Sequence, residues 1–150
     1  MHQFKTEQFL PIDKGKAWIF FSYPKNLTVF APPKMAFKFL SIMDEEEIFE
    51  GMKTEFTLKP LSGITVSWQT TIVKVEHQEY FTSKQSRGPF KIWEHTQIFT
   101  ELEGGTLMHD IVQYELPFYF IGRVLNALLV KGQIERIFHS RKRALEKLFR

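Results

Sequence analysis

The C-terminal stretch of this chain reads as one long helix with a single apolar stripe. Ile134, Ile137, Phe138, Leu145 and Leu148 recur at helical spacing. Such a helix, about 30 residues long, would span ~40 Å and needs an apolar surface to lie on. What precedes it is not helical. Residues 92–102 and 106–116 alternate with period two. Between them stands Gly104-Gly105, read as the turn because glycine takes positive φ without strain. Ile64, Val66, Trp68, Thr70 and Ile72 form another period-two run. Strands gathered before one long helix predict an α+β domain with an antiparallel sheet, not parallel βαβ winding.

The rest of the chain fits that frame. Residues 4–10 form a first strand, ended by Pro11. Asp13 can cap a helix through Ala17, Trp18, Phe20 and Phe21, and Pro24 stops it. A second short helix, residues 25–30, ends before Pro32-Pro33. Phe37, Phe39 and Ile42 suggest a strand, and Asp44-Glu45-Glu46-Glu47 a solvated acidic turn. Residues 53–58 alternate, and Pro60 and Gly63 bracket a turn. Tyr80-Phe81 opens a strand that ends by Gly88-Pro89. Gly122 and Gly132 either weaken the long helix locally or let it approach the sheet closely. The order is one strand, two short helices, about six strands and a long helix. No repeat or linker divides it, so residues 1–150 are read as a single domain.

The absence of Cys excludes disulfides and thiolate chemistry and suits a reducing compartment. Met1-His2-Gln3-Phe4-Lys5-Thr6-Glu7 lacks the pattern of a signal peptide. The longest apolar candidate, residues 127–130, is far short of the roughly 20 residues of a membrane helix. The expectation is a cytoplasmic protein without integral membrane association. The net charge is +3, and Arg136, Arg141, Lys142, Arg143, Lys147 and Arg150 crowd the C-terminus. These read as a solvated helix face, with cations favoured near a helix C-terminus, or as a contact for phosphate or an anionic membrane. Nucleic acid is not an expected partner, because the basic residues lie on a helix that must cover the sheet, with few exposed aromatics among them.

The 16 Phe bring much apolar area with few rotatable bonds. They can fill a core or line a cavity. On the hairpin, Trp93, His95, Gln97 and Phe99 share one face, as do Met108, Asp110, Val112 and Tyr114. Both sets mix large apolar groups with a few polar ones, as small-molecule pockets do, so both are assigned to the concave face. Phe56, Leu58, Trp68 and Thr70 are assigned inward by the same logic. The plainer alternative is a core in which His95 and Asp110 only satisfy each other.

Little catalytic chemistry can be drawn. The five His (His2, His77, His95, His109 and His139) show no metal spacing, and no cofactor is implied. No phosphate-cradling loop or nucleophile elbow occurs. The acidic run at 44–47 lacks the alternating ligands of a calcium loop. The one acid/base pair is His95 with Asp110, with Glu94 and Tyr114 as further candidates.

The sequence also resembles a known family. Phe21-Ser22, Asn26-Leu27 and Pro32-Pro33 resemble the short-helix region of the START-like superfamily, also called SRPBCC or helix-grip proteins. Gly63-Ile64, Trp68-Gln69-Thr70-Thr71-Ile72, Gln85-Ser86-Arg87-Gly88-Pro89-Phe90 and Trp93-Glu94-His95 are similar to bacterial ligand-binding members of the polyketide cyclase/dehydrase type. Gly105-Thr106-Leu107-Met108-His109-Asp110, Val112, Tyr114, Pro117-Phe118, Ile137-Phe138, Arg141 and Leu145 continue the likeness. It implies a helix-grip fold, with about seven antiparallel strands around a long helix and a cavity for a lipid-like or aromatic ligand. Relatives often carry a second His two positions after the one matching His95; here Gln97 stands there, which counts against a shared His-based mechanism.

The combined expectation is a protein that binds or transports a hydrophobic or amphipathic small molecule, as monomer or homodimer. Its wall would be Phe56, Trp68, Thr70, Trp93, His95, Gln97, Met108, Asp110, Val112 and Tyr114. The ligand would enter by residues 118–125, with 117–121 as a gate. Two alternatives remain: a cyclase or dehydratase using His95 and Asp110, and a protein-interaction module.

Overall fold

The structure is a computed structural model that describes the backbone of residues 1–40, 46–61, 64–116 and 123–150, and the side chains of all of these except 60, 61, 64 and 123–127. The chain opens with strand β1 (His2–Leu10). Asp13 then caps helix α1 (Lys14–Phe21), accepting a hydrogen bond from the Lys16 N–H at 2.8 Å. A 3-10 turn (Pro24–Asn26) leads into the single turn α2 (Leu27–Phe30). The Asn26 side chain donates to the Phe20 carbonyl at 2.8 Å, which ties the two helices together. A second 3-10 turn (Pro33–Met35) closes on Ala36, at φ 47°. Strands β2 (Lys38–Phe39), β3 (Lys53–Leu61), β4 (Ile64–Glu76), β5 (Tyr80–Arg87), β6 (Ile92–Leu102) and β7 (Gly105–Glu115) follow, and then helix α3 (Arg123–Leu148).

All seven strands join one curved antiparallel sheet, in the order β1-β7-β6-β5-β4-β3-β2. The α+β architecture expected from the sequence is therefore present. Helix α3 makes its close backbone approaches to β1 and α2. Its buried stripe is Ile134, Phe138, Arg141 and Leu145. One core, around Leu10, Trp18, Phe21, Phe99, Met108 and Leu145, lies under α1 and the end of α3. Each fully buried large side chain there contributes roughly 1.5–3 kcal/mol. A second core joins Val112 and Tyr114 to Ile134 and Phe138. A third gathers Phe56, Leu58 and Trp68.

Several sequence expectations need correction. The hairpin turn is Glu103-Gly104, not Gly104-Gly105, because Leu102 already pairs with Gly105. Gly104 takes the positive φ of 83°. Gly105 serves packing instead: a Cβ there would stand 2.2 Å from the Leu10 carbonyl oxygen. Strand β3 does not stop at Pro60 but continues to Leu61, with its pairing to β4 irregular between Leu58 and Leu61. A proline has no N–H to give a ladder, so the ladder slips there. Gly132 is not needed for close approach to the described residues, since a Cβ at that position meets none of their atoms within 4 Å. Leu148 is 45% exposed, and Phe149 packs in its place, edge-on to Phe20 at 5.0 Å. Glu47 is not simply solvated: it accepts the Trp18 indole N–H at 2.7 Å. Ile42, Asp44, Glu45, Gly63 and Gly122 lie outside the described residues.

Candidate functional site: a polar cluster beside an aromatic wall

The register of the β6–β7 hairpin sets the inner face. Trp93 pairs with Tyr114, His95 with Val112, Gln97 with Asp110 and Phe99 with Met108. The two sets picked from alternation thus share one face, and Val112 and Tyr114 meet Ile134 and Phe138 of α3 on it. His95 and Asp110 are diagonal neighbours, close enough for side chains to bond.

His95 Nε2 lies 2.7 Å from Asp110 Oδ1. An ionised carboxylate only accepts, so His95 carries the proton on Nε2 in this contact. Gln97 Nε2 donates to the same oxygen at 3.1 Å and lies 3.7 Å from Met108 Sδ. Arg141 Nη1 reaches that oxygen from α3 at 3.4 Å. Burial by itself pushes the Asp110 carboxyl up. The Arg141 charge, the His95 contact and the Gln97 amide outweigh that cost and hold Asp110 below the usual carboxylate range. It is a buried, ionised group with three donors on one oxygen.

Arg141 is the residue the sequence reading misplaced. It is buried, not part of a solvated basic face. Its guanidinium sits over Phe30 at 5.0 Å, Phe138 at 5.2 Å and Phe21 at 5.9 Å. The available signal was its place in the apolar stripe, one turn from both Phe138 and Leu145. Among the described residues, Arg141 Nε has no hydrogen-bond partner. A gap of about 10 Å³ beside it, bordered by Gln8, Met108, Asp110 and Phe138, suits one water and not a ligand.

The aromatic wall lies on the same face, toward β3 and β4. Trp68 stacks on Phe56 (6.1 Å, 15° between planes) and meets Trp93 edge-on at 5.3 Å. Trp93 continues to Tyr114 at 6.1 Å. Phe90 leans on Trp93 at 4.8 Å, and Phe37 on Phe56 at 4.7 Å. Phe90 is pinned by the Gln85 side-chain amide, which donates to its carbonyl at 2.7 Å and accepts from its N–H at 3.1 Å. Burial, helped by the nearby Glu135 charge, pushes the Tyr114 hydroxyl up. Among the described residues, no α3 side chain belongs to the Phe56, Leu58 and Trp68 cluster.

The predicted site residues therefore divide. Phe56, Trp68, Trp93 and Tyr114 form the wall, with half-buried Thr70 beyond Trp68 on the same face. His95, Gln97 and Asp110 form the polar cluster, and Val112 is closed under α3. Met108 packs into the core around Trp18, away from the wall. Glu94 does not join His95, because it points to the other face and pairs with Lys84 at 3.4 Å. Phe37 and Phe90 are further wall members and Arg141 a further member of the polar cluster, none of them among the residues expected from the sequence. The proposed gate falls on residues 117–121, outside the described ones. Among the described residues, no group of three His, Asp or Glu side chains could hold a metal, and no helix is long and apolar enough to cross a membrane.

No protein-family model and no curated protein matches this sequence. Solved structures do. Protein TTHA0849 from Thermus thermophilus is similar over 97% of this chain and 95% of its own, at 18% identity and a TM-score of 0.74. Protein Ms6760 from Mycobacterium smegmatis gives 17% identity and a TM-score of 0.69, covering 97% of this chain and 89% of its own. Major latex-like protein 151 from Panax ginseng gives 12% identity and a TM-score of 0.70, covering 99% and 97%. At such identities the shared property is the fold. This chain has a helix-grip fold, a curved antiparallel sheet closed on a C-terminal helix.

Proposed function

We propose that the protein binds or carries a hydrophobic or amphipathic small molecule, held against the aromatic wall of the inner face. The observation that carries this reading is the wall itself. Phe56, Trp68, Trp93 and Tyr114 form a continuous run of rings across the inner face of the sheet. The described part of α3 packs on Val112 and Tyr114, and none of its described side chains belongs to the Phe56–Trp68 cluster. Every ~100 Å² of apolar ligand surface taken from water there would contribute roughly 2.5 kcal/mol. His95, fixed by Asp110, would meet one polar group of the ligand. A polyketide-like or lipid-like molecule fits this description, and the chain would act as a single domain in the cytoplasm.

The His95–Asp110 contact at 2.7 Å also favours a second reading, a cyclase or dehydratase in which His95 moves a proton. Arg141 and Gln97 already occupy the same carboxylate oxygen, so Asp110 has less to give to an imidazolium. That weighs toward binding.

Native mass spectrometry of protein purified from its own host tests the proposal. A co-purifying apolar or aromatic molecule, lost on Trp93→Ala, is the expected result. Protein that is consistently empty and fails to bind an anilinonaphthalene sulfonate probe would sink it. His95→Ala separates the readings: an enzyme loses turnover of the bound compound while retaining affinity.

A further inference from the structure

The outer face of α3 carries a charge pattern that neither the core nor the candidate site uses. Leu129, Arg136 and Arg143 follow one another about two turns apart on the helix, and Lys147 lies one turn beyond Arg143. All four are exposed, and so are His139 and Arg150 beside them. This ridge lies opposite the buried stripe of Ile134, Phe138, Arg141 and Leu145. Among the described residues, none of Arg136, Arg143, Lys147 and Arg150 is in an ion pair. Glu135 and Glu146, the exposed acids of this helix, lie to one side of the ridge. At its upper end Leu128 and Leu129 are 62% and 57% exposed, next to exposed Lys131.

We infer that this ridge docks on an anionic bilayer surface, with the two leucines entering the headgroup layer and the cations facing the lipid charges. The arrangement of these side chains favours that partner over others. The cations from Arg136 to Arg150 are spaced along a line of ~20 Å, which suits a flat, diffuse negative surface. Clusters of 4–8 Lys and Arg on an amphipathic helix are the usual chemistry of such contacts. Exposed leucines at one end suit a headgroup layer, into which interfacial helices sink their apolar side chains. A single-stranded nucleic acid would instead call for aromatic platforms among the cations, and the ridge has none. The inference stands apart from the aromatic wall and does not need the wall to hold a ligand.

Co-sedimentation of the whole chain with vesicles tests it. Binding is expected to vesicles of equal parts phosphatidylcholine and phosphatidylglycerol and not to phosphatidylcholine alone. It should fade in high salt, which shortens the reach of charge from ~8 Å at physiological strength. Each basic side chain near such a surface is worth about fivefold in partitioning, so Arg136→Glu, Arg143→Glu and Lys147→Glu together should lower it at least ~100-fold. Leu128→Ser with Leu129→Ser should weaken binding while leaving its salt dependence unchanged. If the triple variant melts early, Arg136→Gln, Arg143→Gln and Lys147→Gln replace it, with the loss still expected. Equal binding to both vesicles, no binding to either, or full binding by the charge variants would overturn the inference. Tighter binding to duplex DNA than to the anionic vesicles would overturn it too.

Discussion

Arg141 and Asp110 form a buried ion pair that ties the long helix to the hairpin, with Nη1 3.4 Å from Oδ1. Asp110 is 3% exposed and Arg141 9%. Removing one partner leaves the other charge buried without its counter-charge. Arg141→Met should therefore cost about 3–5 kcal/mol in urea denaturation. Combining it with Asp110→Asn should return much of that loss, because no buried charge is then stranded. A double variant no more stable than Arg141→Met alone would show that the guanidinium acts through its ring contacts and not through the pair.

The same carboxylate sets an acid limit. Asp110 is held below its ordinary range in the folded chain, so the unfolded chain takes up its proton first as pH falls. Its contribution is complete above the unfolded value of about 3.9 and is lost as pH drops through the lower folded value. Stability curves of the wild type and Asp110→Asn should run apart at neutral pH and converge below about pH 4. Parallel curves down to acid unfolding would contradict this.

Three glycines should respond in three different ways to alanine. At Gly105 a Cβ would strike the Leu10 carbonyl oxygen at 2.2 Å, and β1 would have to move. A loss of roughly 2–4 kcal/mol is expected, the range of a severe packing error. At Gly104 there is open space but φ is 83°, so the cost is about 1 kcal/mol of backbone strain. At Gly132 the Cβ meets nothing within 4 Å in a helix, and a gain of roughly 0.5–1 kcal/mol is expected. Thermal melts of the three variants rank them directly.

Trp93 joins the Trp68 side of the wall to the Tyr114 side, and it is only half-buried. Trp93→Ala should weaken binding of an apolar fluorescent probe at least about tenfold, the loss of ~1.4 kcal/mol or more of contact. Its melting temperature should fall less than that of Trp18→Ala, since Trp18 is 1% exposed in the closed core. The opposite order would assign Trp93 to packing.

Much of this fold is legible in the sequence. Period-two alternation identified the hairpin, its inner face and the His95–Asp110 contact, because alternation reports directly which side chains share a face. Apolar spacing found α3, and Asp13 announced α1. What was missed has physical causes. Arg141 was hidden among neighbouring cations, and its partner Asp110 lies on an element that no local pattern connects to it. Phe90 follows Gly88-Pro89 just before a strand, where alternation has not begun; a Gln85 side chain holds it in place. Strand β3 crosses Pro60 because a ladder can skip one donor, which no residue-by-residue rule anticipates.

The neighbours β1 and β7 lie at opposite ends of the chain's strand order, with Leu10 beside Thr106. During synthesis β1 leaves the ribosome first and its ladder partner comes last among the strands. No stage of translation before β7 emerges can complete the sheet, and α3 follows only afterwards. The grip must assemble late and nearly all at once, with the β1 edge unpaired in the meantime. A nascent chain stalled before residue 105 should therefore be open to protease along β1, and one extended past α3 should not.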